Sequence, residues 1–402
     1  MIHEVNCGMK FKKAAVIGAG TMGHGICQVL ATAGIEAGLI DVSDEILGKA
    51  LEQIRSSLER FVKRGSMKPE EEEAILSRIR VTTKTEEAVR DADLVVEAVP
   101  ERLELKKQIF NVLDKAAPKN CILATNTSSL PITEVAKATS RPEKVIGMHF
   151  FNPPALMRLI EIVRGEKTSN ETTDNIVELS KTLGKTPIVV RKDVPGFIVN
   201  RVLVSALNEC YWTVYRGEAK MLEVDSALKY AGKFPMGAFE LSDYIGLDVL
   251  NEITKVMAKA YGDVINPCPT LGALVSQQKL GRKTGSGFYD WSSGRPEIPS
   301  DLADKFDMNR FYIPAINEAC RLIHEDVADA RDIDTAIKLG MNWPYGPCEF
   351  GDTLGLDIVL NSLKKSRSRY GDERYKASPL LEEYVSKGWL GKKTGRGFYK
   401  YE

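Results

Sequence analysis

The sequence predicts a doubly wound α/β sheet followed by two copies of one all-α domain. Three observations lead there. A glycine turn joins an apolar strand to an amphipathic helix near residue 20. Strand-like and helix-like segments then alternate to about residue 190. Beyond that point three sequence blocks recur in the same order.

Size and composition are consistent with this. The chain has 402 residues, enough for two or three domains of roughly 100–200 residues. It is 43% hydrophobic and 27% charged, with 55 basic and 55 acidic side chains and a formal net charge of zero. That balance argues against a nucleic acid or a membrane surface as the main partner. Seven cysteines, at 7, 27, 121, 210, 268, 320 and 348, form no CxxC pair, so reduced thiols are expected and neither zinc nor disulfides. No apolar run reaches the roughly 18 residues of a membrane span, and "MIHEVNCGMKFKK" lacks the apolar core of a signal peptide. A cytoplasmic location is the expectation.

The first strand is "AAVIG". Gly18, Ala19, Gly20, Thr21, Met22 and Gly23 follow as G-A-G-T-M-G, and Ile26, Val29, Leu30 and Ala33 then recur at helical spacing until Gly34. Strand, glycine turn and helix are the context a dinucleotide-binding loop requires. Gly18 permits the tight turn, Gly20 lets a pyrophosphate approach the backbone, and Gly23 lets the helix pack close to the strand. The helix N-terminus offers unpaired N–H groups to phosphates. A lone glycine pattern is weak, and a strand–helix turn without a nucleotide is the plain alternative. The next strand, "EAGLIDVS", strengthens the nucleotide reading because it ends in Asp41. A carboxylate there suits the ribose hydroxyls and repels a 2′-phosphate, so NAD is expected rather than NADP.

The alternation continues through "RIRVTT" and "DADLVVEAV" as strands, 101–117 as a helix, "NCILATNTSSL" as a strand entering a turn, and "EKVIGMHFF" as a further strand. The reading is a Rossmann-type parallel sheet whose ligands lie beyond the strands' carboxyl ends, where Glu97, Glu101, Ser128 and His149 fall. The cluster Asn126-Thr127-Ser128-Ser129 reads equally as part of a site or as a cap for the helix that follows.

After residue 192 the pattern becomes helical and duplicated. "NRVLVSALNEC" at 200–210 matches "NRFYIPAINEAC" at 309–320. "FPMGAFELSDYIGLDVL" at 234–250 matches "WPYGPCEFGDTLGLDIVL" at 343–360. "LGRKTGSGFYDW" at 280–291 matches "LGKKTGRGFYKY" at 390–401. One offset of about 109 residues, too long for a solenoid, means two copies of one domain. The expected division is 1–192, 193–296 and 297–402. Each copy should cover the other's apolar face, which favours a monomer or a loose dimer.

Taken together, "GAGTMGHGI", "NTSSL", "GMHFFNPP", "LIEIV", "DVPGFIVNR" and "GRKTGSGFYDW" closely resemble the 3-hydroxyacyl-CoA dehydrogenase family over essentially the whole chain. The duplicated helical domain is as in the dehydrogenase part of the multifunctional fatty-acid oxidation enzymes, and no hydratase segment is expected. The resemblance implies reversible oxidation of an L-3-hydroxyacyl-CoA by NAD, here of a short chain such as 3-hydroxybutyryl-CoA. It makes His149 the general base, Glu161 its partner, Ser128 a neighbour of the reacting oxygen and Asn200 a contact to the thioester. It places Glu101 and Lys106 near the cofactor ribose and nicotinamide, with Asn126 beside them. It suggests Ser57 and Arg64, on the helix pair within "SSLERFVKRGSMKPEEEEAIL", as CoA contacts. As bare residues, Glu101 and Lys106 could be capping charges and 57–64 a solvated face. Asn309, the counterpart of Asn200, has no second nucleotide domain to serve. The alternative activity is NAD-dependent oxidation of a free hydroxy or sugar acid.

The chemistry suits these residue types. A neutral imidazole removes a hydroxyl proton well near pH 7, and a carboxylate on its other nitrogen fixes the tautomer. The 12-residue gap from His149 to Glu161 predicts two neighbouring extended segments joined through "NPPALM".

Overall fold

The computed structural model describes residues 11–402; Cys7 and the segment around it lie outside that range. The chain forms two compact units, Met1–Asp193 and Val194–Glu402.

The first unit is an eight-stranded sheet. Its strands are β1 (Lys13–Ile17), β2 (Glu36–Ile40), β3 (Ile79–Thr82), β4 (Leu94–Glu97), β5 (Ile122–Thr125), β6 (Val145–Phe150), β7 (Leu159–Val163) and β8 (Thr186–Val190). They lie in the order β3-β2-β1-β4-β5-β6-β7-β8. The winding reverses between β1 and β4, which leaves a crevice beyond their carboxyl ends. All neighbours run parallel except β6 and β7. The expectation of a parallel sheet is therefore corrected at one step: "NPPALM" is too short for a crossover and turns the chain straight back.

The unit's helices are α1 (Gly23–Thr32), α2 (Asp44–Lys63), α3 (Pro69–Ser77), α4 (Thr85–Val89), α5 (Leu103–Ala116), α6 (Ile132–Ala136) and α7 (Asn170–Thr182). Ser43 caps α2 by accepting from Ile46 N–H, and Leu47, Ala50, Ile54 and Leu58 form its buried stripe. Arg64, expected on this helix, is its C-cap residue. Asp193 closes the unit by accepting from the backbone N–H groups of Ile132 and Thr133 at the start of α6.

The second unit contains both repeats. The first copy comprises α8 (Val199–Tyr215), α9 (Met221–Ser226) with a π-helical turn at Ala227–Ala231, α10 (Ala238–Ile245), α11 (Leu247–Tyr261) and α12 (Pro269–Ser276). The second comprises α13 (Asn309–His324), α14 (Ala330–Met341), α15 (Pro347–Leu354), α16 (Leu356–Tyr370) and α17 (Pro379–Ser386). The repeated motifs have a physical reason. Asp243 accepts from Phe288 N–H, Tyr289 N–H and the Trp291 indole, and Asp352 accepts from Phe398 N–H, Tyr399 N–H and the Tyr401 hydroxyl. The aspartates of "ELSD" and "EFGD" thus hold the "GFY" loops. Side chains at Gly287 and Gly397 would collide with those carboxylates.

Asp225 binds Phe239 N–H, Glu240 N–H and the Tyr289 hydroxyl; Asp334 binds Cys348 N–H, Glu349 N–H and the Tyr399 hydroxyl. Burial nevertheless pushes Asp225 up to about 7 and Asp334 to about 6.

The copies meet mainly through α8 and α13. Arg201 of the first donates to Glu318 of the second at 2.6 Å, and Arg310 of the second donates to Glu209 of the first at 3.1 Å. Arg201 and Glu318 are both nearly fully buried. Burial opposes the charge on Glu318, but Arg201 and Arg321 together hold its carboxyl below the usual range.

Glu318→Gln should cost about 3 kcal/mol in chemical denaturation, because it removes the buried counter-charge of Arg201 and leaves that guanidinium only Glu325 at the edge. The double replacement Arg201→Met with Glu318→Met should recover most of that loss. A second expectation concerns pH. The folded values of Asp225 and Asp334 lie above the ordinary 3.8 of an unfolded chain. Their stabilising protons are fully held below pH 3.8 and are lost as pH rises through about 6 to 7. Asp225→Asn should flatten the fall in denaturation midpoint between pH 5 and pH 8.

Candidate active site

The glycine turn sits at the crevice. Gly18 follows β1 with φ +100°, and its N–H donates to Ile40 O at 2.7 Å while Ala98 N–H donates to Ile17 O at 2.7 Å. A Cβ on Gly18 would stand 2.7 Å from Ala98 O, and one on Gly23 would run into the Gly18 carbonyl. A Cβ on Gly20 would meet nothing within 4 Å. Two of the glycines are thus demanded by the protein's own backbone, whereas the third faces open space. Thr21 and Met22 lead into α1, whose N-cap residue Met22 supplies no side-chain hydrogen bond. That arrangement fits a phosphate-bearing group at the helix N-terminus.

Asp41 follows β2 and reaches across to the turn. Its Oδ2 accepts from Ala19 N–H and its Oδ1 from Val42 N–H, both at 2.7 Å. The carboxylate therefore braces the glycine loop.

At the ends of β4 and β5 the polar residues form one cluster. Glu101 Oε1 accepts from the Thr127 hydroxyl at 2.5 Å, Ser128 N–H at 2.8 Å, the Ser128 hydroxyl at 3.2 Å and Ser129 N–H at 3.3 Å. Lys106 stands 3.2 Å from its other oxygen. Burial opposes ionisation of Glu101, yet Lys106, Thr127 and Ser128 hold its carboxyl below the usual range. Glu101 thus organises the 127–129 turn and does not cap α5; Arg102 is that helix's N-cap residue. Lys106 is only 1% exposed and is no surface charge. Asn126 Oδ1 accepts from Phe150 N–H at 2.8 Å and ties this turn to the end of β6.

His149 and Glu161 face each other directly in the antiparallel β6–β7 ladder. His149 Nδ1 and Glu161 Oε2 are 2.7 Å apart, and Glu161 is fully buried. A carboxylate can only accept, so Nδ1 carries the hydrogen and the neutral ring has its lone pair on Nε2. The Phe151 ring lies 4.5 Å from the imidazole, centroid to centroid.

Lys185 gave no signal in the sequence. Its ammonium donates to Pro154 O at 2.5 Å and Met157 O at 2.8 Å, steadying the loop between His149 and Glu161, and burial lowers it to about 8. The sequence marks Glu97 only as a strand-end residue, but its carboxylate is fully buried and binds Lys106. A lone charged residue in or beside an apolar strand was the available hint.

The structure brings together His149 with Glu161, Ser128 with Glu101 and Lys106, and Asp41 with the glycine loop. Ser57 lies half-buried in α2, and Arg64 is exposed at its end. Asn200 belongs to the other unit, buried in the first turn of α8, and Asn309 opens α13. Six cysteines are free and buried among the described residues. No helix there is long and apolar enough to cross a membrane.

A glycine loop at a sheet's switch point, with a histidine–carboxylate pair further along the same carboxyl edge, defines a dinucleotide-dependent oxidoreductase. Comparison with known proteins gives the family. Residues 13–194 match the 3-hydroxyacyl-CoA dehydrogenase NAD binding domain, and residues 196–291 and 306–401 each match the C-terminal domain of the same enzymes. A probable 3-hydroxybutyryl-CoA dehydrogenase of Bacillus subtilis is 42% identical over 284 residues, 70% of this chain and 98% of the relative. The alpha subunit of the fatty acid oxidation complex of a Shewanella species is 36% identical over 398 residues, 93% of this chain and 55% of that protein. The crystal structure of 3-hydroxybutyryl-CoA dehydrogenase from Escherichia coli superposes with a TM-score of 0.87 at 31% identity, covering 94% of this chain and 99% of that one. The chain belongs to the 3-hydroxyacyl-CoA dehydrogenase family of NAD-dependent oxidoreductases.

The three glycines should separate in a stability measurement. Gly23→Ala is expected to cost about 3 kcal/mol or more, since backbone meets backbone. Gly20→Ala should leave the melting temperature within a degree or two of the parent, roughly the range of a neutral surface change.

Proposed function

We propose that this chain interconverts a short L-3-hydroxyacyl-CoA, 3-hydroxybutyryl-CoA in the first instance, and its 3-ketoacyl-CoA. The observation that carries the residue roles is the 2.7 Å contact between His149 Nδ1 and Glu161 in the strand pair at the sheet's carboxyl edge. The names of the Bacillus subtilis and Escherichia coli relatives support a short acyl group.

NAD, when bound, supplies the hydride acceptor. Gly18, Gly20, Thr21, Met22 and Gly23 would hold its pyrophosphate, Asp41 its adenosine ribose, and Glu101, Lys106 and Asn126 would flank its nicotinamide end. His149 Nε2 takes the substrate hydroxyl proton as the carbonyl forms, and returns it in the reverse direction. Glu161 keeps Nδ1 protonated and stabilises the imidazolium that results. The Ser128 hydroxyl orients the reacting oxygen, and Asn200 meets the thioester end. Ser57 and Arg64 contact the CoA portion. The helical repeats satisfy each other within the chain, so the enzyme works as a monomer or loose dimer in the cytoplasm.

The test follows NADH absorbance with acetoacetyl-CoA, beside a free 3-keto acid and NADPH. Consumption with acetoacetyl-CoA and NADH alone is expected; consumption only with the free acid would overturn the acyl-CoA reading. His149→Ala and Glu161→Gln should each lower kcat by about 10² to 10⁴. Gly20→Ala should raise the Kd for NADH at least about tenfold, a loss of roughly 1.4 kcal/mol, in a protein that remains folded.

A further inference from the structure

Glu97 lies at the end of β4, is wholly buried, and has no role in the chemistry above. Its Oε1 accepts from the Lys106 ammonium at 2.7 Å and from Val99 N–H at 2.7 Å. Its Oε2 accepts from the Thr125 hydroxyl at 2.6 Å. The Thr125 oxygen in turn accepts from Thr127 N–H at 3.3 Å. Thr127 donates to Glu101, and Glu101 pairs with Lys106. The path is a closed ring, Glu97–Lys106–Glu101–Thr127–Thr125, which spans the ends of β4 and β5 and the first turn of α5. Ser128 is attached to it at Glu101 through both its N–H and its hydroxyl.

We propose that Glu97 is a positioning residue for the reaction: with Thr125 it anchors the ring that fixes the aim of the Ser128 hydroxyl. The proposal rests on the role of Ser128 given above. Physically, Lys106 is shared between two carboxylates. Removing the charge of Glu97 leaves the ammonium with Glu101 as its one carboxylate, beside the Val99 carbonyl at 3.3 Å, and draws that carboxylate away from the turn it organises. A glutamine puts an NH2 donor where one carboxylate oxygen accepts, so either Lys106 with Val99 N–H or the Thr125 hydroxyl loses its acceptor. Coupled members of such a network are apportioned by double-mutant cycles, because a merely structural loss adds to an unrelated one.

The experiment measures kcat with acetoacetyl-CoA and NADH for Glu97→Gln, alone and combined with Ser128→Ala. Expected is a loss of about tenfold in the parent background and less than about twofold in Ser128→Ala, a coupling within the range seen for networked residues. Thr125→Val should repeat this pattern and carries the test if Glu97→Gln fails to fold, while Thr125→Ser, which keeps the hydroxyl, should restore turnover. Equal losses in both backgrounds would overturn the proposal, as would a folded Glu97→Gln or Thr125→Val enzyme with full turnover. If Ser128→Ala is itself as fast as the parent, the role of Ser128 falls and this proposal falls with it. A slow Ser128→Ala with additive Glu97→Gln removes the proposal alone.

Discussion

The active end of the first unit depends on one reversal of chain direction, the antiparallel step from β6 to β7. In a parallel pair, residues twelve apart in sequence could not stand opposite each other, because a crossover of a dozen or more residues must intervene. The tight return through 151–158 makes His149 and Glu161 direct cross-strand partners. Their side chains then share one face at a separation set by the ladder, about 4.5–5.5 Å between Cβ atoms. A register slip of one residue would send Glu161 to the opposite face; since every residue of "LIEIV" is buried, it is this carboxylate's need for His149, not apolar alternation, that favours the pairing. The loop is steadied from outside by Lys185 and from below by α1, where Gly25 lets Pro154 come within the space a Cβ would need.

The same economy governs the turn after β5. A loop carrying three consecutive hydroxyl residues has many ways to bond to itself. Here Glu101 collects Thr127, Ser128 and Ser129 onto one oxygen, and Lys106 on its other oxygen keeps it charged. Burying the charges of Glu97 and Lys106 at one strand end is tolerable only because each has several partners, the more exposed Glu101 among them; either one left alone would cost several kcal/mol.

How much of this could be read from the sequence varied with the range of the interaction. The glycine loop, Asp41 and the His149–Glu161 spacing were legible because strand and helix periods act over a few residues. The repeat was legible because it is a comparison of the chain with itself. The reason for the repeat's motifs was not. That Asp243 and Asp352 hold the two "GFY" loops depends on contacts between segments more than 40 residues apart. As bare residues Glu101 and Lys106 read equally as helix-start charges, and only the resemblance sets them near the cofactor, since it takes the fold of β4 against β5 to bring the 127–129 turn to them. Arg201 sits beside Asn200 in "VNR", yet its partner lies in the other copy, 117 residues on.

The two helical copies have kept their centre and let their rim diverge. In a symmetric interface between identical chains, every residue must serve on both sides at once. Fusing the copies into one chain releases that constraint wherever a change on one side can be met on the other. At the middle it is still obeyed: Arg201 with Glu318 and Arg310 with Glu209 are reciprocal, because an unpaired guanidinium there would be buried without a counter-charge. At the edge it is not. Arg201 also reaches Glu325, whose counterpart in the first copy is Arg216; that arginine instead lies over the Tyr370 ring and donates to the Tyr375 hydroxyl. Arg310 reaches Glu218, whose counterpart in the second copy is the buried Val327. Such unlike pairings are impossible in a strict two-fold dimer, so copies that have acquired them fit each other better than either would fit itself.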